Sequence, residues 1–250
     1  MNTKNRPYKL SILPMAIATL VLTAAPSIRA AEFSEAELFF ELNDTDGDLG
    51  LHASIDGEPY RMLEIAGPKS HLLTVLAEGR LARQGLTQLS FESAEPGFDE
   101  LTPEEFFQRF PEGVYKIKGM AHGGGKQESE VELSHVLAAA PANVLISGVP
   151  AAENCDAASL PLVSEPVIID WDPVTTSHPT IGKSGAIEIA KYQLFVEREG
   201  VNFAVDLPPT VTAFHIPPEI IALGNEFKFE IIARTTTGNN TAIENCFIVE

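Results

Sequence analysis

LHASIDGEPYRMLEI, residues 51–65, alternates apolar and polar residues on both sides of Asp56-Gly57. A period of two is the signature of a half-buried strand, because successive side chains leave a strand on opposite faces. Asp-Gly between two such runs is a strong hairpin signal, since both residue types tolerate the positive φ of a tight primed turn. The stretch therefore predicts two antiparallel strands joined at Asp56-Gly57, and with them an all-β fold.

The same period continues outward. HLLTVLAEG and LTQLSFESA read as further strands, and GVYKIKGMAHGGGKQESEVELSHVL reads as a hairpin with its tip at Gly123-Gly124-Gly125. One short helix interrupts them. Thr102 caps it, Pro103 occupies its first turn, and Glu105 completes a T-x-x-E capping box ahead of FFQRF. From Ala138 the chain turns to AAAPANVLISGVPAAENC, rich in Ala and Pro and poor in charge, which marks a boundary between units. Strand patterns resume in EPVIIDWDPV, IEIAKYQLFVERE, VTAFHI, NEFKFEIIART and ENCFIVE. Strands and helices do not alternate, which argues against a parallel α/β fold. The expected organisation is residues 1–30 as a targeting segment, 31–137 as a β-sandwich with an acidic loop, and 138–250 as a second sandwich. Both are Ig-like antiparallel β-sandwich domains, with the one short helix in the first.

Residues 1–30 carry Lys4, Arg6 and Lys9, then an apolar run, then small residues, the pattern of a secretory signal peptide with cleavage between Ala30 and Ala31. No later apolar run approaches spanning length, so the mature chain is expected to insert in no membrane and to be secreted or periplasmic. Cleavage would remove Lys4, Arg6, Lys9 and Arg29 and no acid, leaving a chain of net charge −18 more negative still. Such a surface repels phosphate backbones, which excludes nucleic acid as a partner. The two cysteines, Cys155 and Cys246, are expected to form one disulfide in an oxidising compartment.

Residues 141–250 resemble a fibronectin type III domain. VIIDWDPV is similar to that family's second strand, with Trp171 as its core tryptophan; AKYQLFVE, with Tyr192, is similar to the third. FKFEIIA is similar to the sixth, with Phe227, Phe229, Ile231 and Ala233 at core positions, and TTTGNNTA to the turn before the last. The resemblance implies a seven-strand sandwich used in binding. Phe227 departs from it: the family has a tyrosine there whose hydroxyl ties down the corner, so packing and a bridge to Cys246 must hold that corner here.

Asp44-Thr45-Asp46-Gly47-Asp48 is the most chemically loaded turn. Three carboxylates in five residues repel one another unless hydrated or joined by a cation, and hard oxygen ligands suit calcium. Asp44, Asp46 and Asp48, with Asp56 or Asn43 as a further ligand, are the expected calcium site; the rival reading is a solvated turn whose residues do backbone work. The stretch resembles the start of an EF-hand loop but has Leu49 for the turn glycine and Ile55 for the bidentate acid. Asp-x-Asp-Gly also resembles the phosphatase motif of haloacid dehalogenase-like enzymes, yet Asp48 stands where that family has threonine. No G-x-S-x-G, H-E-x-x-H or phosphate-binding loop occurs, and the six histidines lack ligand spacing. Sequons at Asn43 and Asn239 matter only in a glycosylating pathway. The expected function is a secreted, non-catalytic binding, adhesion or structural module stabilised by calcium, with a protein or polysaccharide partner. The alternative is an accessory module or weak hydrolase acting on extracellular polysaccharide.

Overall fold

A computed structural model describes residues 30–121 and 124–250, together with Met1. The signal-peptide reading therefore falls almost wholly outside the described residues, as do His122 and Gly123 at the expected hairpin tip. The first half runs β1 (Glu35–Asn43), β2 (Asp48–Ala66), β3 (His71–Leu76), α1 (Leu81–Gln84), β4 (Leu86–Glu92), α2 (Pro103–Arg109), β5 (Gly113–Ala121) and β6 (Lys126–Leu133). Then follow β7 (Leu145–Ile146), β8 (Val149–Pro150), β9 (Leu162–Val163), β10 (Ile168–Asp170), β11 (Ile189–Arg198) and β12 (Val201–Leu207). β13 (Ala213–His215), α3 (Pro218–Ile221), β14 (Glu226–Thr235) and β15 (Asn240–Val249) complete the chain. The protein is mostly β with antiparallel sheets, as the alternation predicts. No helix among the described residues is long and apolar enough to cross a membrane.

The stretch around Asp56-Gly57 is corrected by the structure. β2 does not reverse there; it is one strand from Asp48 to Ala66 that changes neighbours along its length. Its first leg pairs with β1 and β4, and its second with β3 and β5, with the register slipping between Asp56 and Tyr60. Gly57 is needed for close approach, not for a primed turn: a Cβ there would lie 2.5 Å from Gln127 Oε1 and 2.8 Å from Phe33 Cδ1. Gln127, almost wholly buried, accepts from Glu58 N and donates to Glu58 O, both at 2.8 Å, so its amide replaces the ladder bonds lost at the slip. Both legs feed one core, with Leu49, Leu51 and Ile55 from the first and Tyr60, Leu63 and Ile65 from the second. α2 closes that core. Its capping box forms as expected, and its buried Phe106 and Phe107 meet Phe40 at ring separations of 6.1 and 5.3 Å. Alongside it the structure adds two four-residue helices, α1 and α3.

In the second half, β12-β11-β14-β15 covers one side of a second core and β13-β10-β7-β8 the other. Phe229, Ile231 and Phe247 from the long strands meet Ile146, Ile169 and Trp171 from the short ones. Phe227 stacks on Phe247 with ring centroids 5.3 Å apart. The hydroxyl that ties strands together belongs instead to Tyr192, which accepts from Val174 N at 2.8 Å. Cys155 and Cys246 form the disulfide, closing a sequence separation of 91 onto β15.

The two cores share a sheet. β15 pairs with β1 in parallel, Glu41 opposite Asn240, Leu42 opposite Thr241 and Asn43 opposite Ala242. The path β12-β11-β14-β15-β1-β2-β5-β6 is thus continuous through the whole protein.

Candidate functional site

The acidic turn joins β1 to β2 at this seam. Asn43 O accepts from Gly47 N at 2.9 Å, and Gly47 takes φ of +69°, the left-handed conformation that favours glycine. Asn43 Oδ1 accepts from Thr45 N and Asp46 N at 3.1 and 3.2 Å, which fixes the turn by an Asx-type cap. Its Nδ2 donates to Asp46 Oδ2 at 3.2 Å. The turn then docks on the second half: Asp44 N donates to Ala242 O, and Glu244 N donates to Thr45 Oγ1, each at 2.9 Å.

His178 receives the first carboxylate. Its Nδ1 accepts from Ile181 N at 2.9 Å and Thr180 N at 3.3 Å, which places the proton on Nε2. Nε2 donates it to Asp44 Oδ1 at 3.0 Å, with the His178 side chain 7% exposed.

The expected calcium ligands are not gathered into one site. Asp44 faces His178, Asp46 turns to Asn43, and Asp48 already lies in β2. Asp56 stands further along β2, opposite Glu35 and Gln88, because the chain between it and Asp48 is extended strand and not a curling loop. Among the described residues no three His, Cys, Asp or Glu side chains are grouped to hold a metal ion. Backbone work by Asn43, Thr45 and Gly47 accounts for the turn.

Around it, side chains stitch the seam. Asn239, 1% exposed, accepts from Phe40 N at 2.9 Å and donates to Ser134 O and Val136 O at 2.8 and 3.1 Å. A sequon asparagine so engaged is closed to modification in the folded protein. Thr241 Oγ1 donates to Ala138 O at 2.9 Å. Arg234 reaches across to Glu37 at 2.6 Å and lies over the Phe39 ring, 4.7 Å from its centroid.

The outward face of the shared sheet is acid-rich. Burial first, then Glu95, Asp46, Glu244 and Glu41, push the Asp48 carboxyl up to about 6. Burial first, then Glu41 and Glu244, push Glu230 up to about 7, with Lys228 opposing. Burial also raises Glu95, against the hydrogen bond from His52 at 2.9 Å that lowers it. Sequence reasoning missed Glu230, His178 and the ladder role of Asn239. Each acquires its role from a strand or loop far away in sequence, and only Asn239 carried any mark, as a sequon.

Among the described residues, clefts of about 330–530 Å³ open beside Ser129, the disulfide, His135, Asp44 and Pro166.

No family model and no curated protein sequence matches the chain. Among solved structures, a 1.5-MDa bacterial ice-binding adhesin studied for retention on the host cell surface aligns at 10% identity and a TM-score of 0.25, over 89% of this chain and 66% of that one. A Ca²⁺-stabilised adhesin with which an Antarctic bacterium binds ice aligns at 9% identity and a TM-score of 0.26, over 88% of this chain and 49% of that one. Murine CEACAM1b aligns at 11% identity and a TM-score of 0.20, over 86% of this chain and all of that one. This chain thus spans two thirds or less of those adhesin chains. TM-scores of this size carry no argument about fold or function.

Proposed function

We propose that the protein is an exported, non-catalytic binding or adhesion module whose partner is a protein or polysaccharide outside the cytoplasm. The observation that supports this reading is the seam. Two β units hydrogen-bonded edge to edge through β15 and β1 present one continuous strand face, a platform of the kind that positions recognition surfaces. The disulfide agrees with an oxidising compartment, and residues 1–30 are read as its export signal. The second half is proposed to be of the fibronectin type III kind, on the strength of its two facing sheets and of Trp171 packed on Tyr192 at 5.4 Å. Calcium is not needed for this reading, since the turn is held by its own backbone and by His178.

The raised carboxyls favour the rival, a weak polysaccharide hydrolase, because a protonated Glu is what a general acid requires. Such a reaction also needs a cleft that holds the sugar against the acid, and Glu230, partly buried on β14, is flanked by Phe195 and Glu244 on the neighbouring strands. The test is to incubate the purified mature chain with immobilised extracellular polysaccharides and with intact bacterial cells, assaying retention and reducing-end release together. Retention without release supports the proposal; release that disappears in Glu230→Gln overturns it in favour of the hydrolase.

A further inference from the structure

Glu230 is an unbalanced group on the outward face. On one side it stands opposite Phe195 of β11 and on the other opposite Glu244 of β15. Among the described residues it has no hydrogen-bond or ion-pair partner. Lys228, two residues back on the same face, is engaged by Glu244 at 2.5 Å. Beyond β15 comes Glu41 of β1, opposite Asn240 and held by its amide at 2.7 Å. Beyond β1, Gly50 of β2 faces Glu41, and Glu95 lies over Gly50, filling the space a Cβ would take. Of the other charged groups near this row, Arg234 takes Glu37 and His52 takes Glu95, while Glu197 on β11, opposite Lys228, and Asp48 at the start of β2, which feels Glu95, Glu244 and Glu41, add further negative charge. Carboxylates thus run across β14, β15, β1 and the loop over β2, with one lysine among them.

This row crosses the shortest ladder on the path β12-β11-β14-β15-β1-β2-β5-β6. β14 and β15 pair through nine residue positions, but β15 and β1 pair through three. Repulsion between like charges on neighbouring strands opposes pairing, and it acts most on the ladder with the fewest bonds.

We propose that the junction of β15 with β1 is a proton-operated latch, in which Glu230 takes up a proton in mildly acidic medium and the seam between the two halves tightens. As pH rises past neutral Glu230 ionises, the row of carboxylates repels across the seam, and the seam opens more often. The direction agrees with burial and the neighbouring Glu41 and Glu244, which raise the Glu230 carboxyl.

The test uses the intact chain. Carboxyl-carbon NMR follows the titration of Glu230, and native-state hydrogen exchange, corrected for intrinsic rates, follows the Asp44 and Glu244 amides that bond across the seam. Protection of those amides is expected to fall roughly tenfold between pH 5.5 and pH 7.5, within the limit of about tenfold per pH unit that linkage to one proton allows. With Asp48→Asn in place to remove the second carboxyl that titrates in this range, Glu230→Gln, which keeps the shape and removes the charge, should abolish the pH dependence. Glu41→Gln should move the Glu230 midpoint downward. Titration of Glu230 near the ordinary Glu range, protection independent of pH, or a pH dependence that survives Glu230→Gln in the Asp48→Asn background would each overturn the proposal.

Discussion

Asn239→Ala is the substitution from which the seam predicts most. The side chain makes three hydrogen bonds in a site 1% exposed, one to each of Phe40 N, Ser134 O and Val136 O. Phe40 N points toward β15 at a place where the β1 ladder has not yet begun, since pairing starts at Glu41 opposite Asn240. The Asn239 amide is therefore the ladder's missing rung. Truncation strands one buried N–H and removes a donor from two carbonyls. A stranded buried backbone group costs about 1–3 kcal/mol, with the donor at the high end and the carbonyls lower. The sum is roughly 3–5 kcal/mol, a large part of the 5–15 kcal/mol that holds a typical domain together. With an urea slope of about 2–3 kcal/mol/M, the midpoint should fall by about 1–2 M. Urea unfolding followed by Trp171 fluorescence and by far-UV circular dichroism is the assay, because Trp171 reports only on the second core. Coincident transitions are expected in the parent chain and separated ones in the variant, as the halves lose their coupling. Asn239→Asp keeps the acceptor for Phe40 N but aims a carboxylate oxygen at two carbonyls, so at neutral pH it should be at least as damaging as alanine. A loss below about 1 kcal/mol with transitions still coincident would refute the claim that this amide couples the halves.

Other perturbations test separate parts of the structure. Asp48, with its carboxyl raised to about 6 from an ordinary 3.8, binds its proton more tightly in the folded state. The stability it contributes is complete below pH 3.8 and lost as pH rises through 6, so Asp48→Asn should match the parent at pH 4 and exceed it at pH 8. After discounting for solvent screening at this half-exposed site, the gain should be about 1 kcal/mol by urea titration. Replacing both Cys155 and Cys246 by serine releases a loop spanning 91 residues, worth about 4 kcal/mol in the chain-entropy model, and should lower Tm by roughly 8–16 °C in a scan without reductant. Gly57→Ala drives a methyl against Gln127 Oε1 and Phe33 and should cost about 1–3 kcal/mol by the same titration, whereas Gly79→Ala meets no neighbour and loses only what its φ of +60° demands. Thermal melts in calcium and in chelator should coincide; a rise in Tm that grows with calcium concentration would restore a cation site at the turn.

What the residues revealed beforehand follows from the range over which each signal acts. Alternation in FKFEIIA, the T-x-x-E box at Thr102 and the pairing of the only two cysteines are local or forced, and each appears in the structure as expected. Asp56-Gly57 misled because the signal for a primed turn is identical to that for a glycine kept small under Gln127, and the choice rests with a side chain 70 positions onward. The turn of Asp44, Asp46 and Asp48 also has partners that lie elsewhere in the chain. Three carboxylates close in sequence look unbalanced until His178 and the β15 backbone arrive, and neither is visible from the turn itself. Conversely, Glu230 looked like an ordinary polar position of a strand. Its environment comes from strands on both sides, which no local pattern encodes.

The pairing of the first long strand with the last has a consequence for biogenesis. Phe40 and Asn239 lie 199 residues apart, so β1 keeps an open edge until those 199 residues have been released from the ribosome. Throughout that interval an unpaired strand is available to neighbouring nascent copies, and holdase chaperones that shield such edges should govern the yield of this protein more than the intrinsic stability of either core.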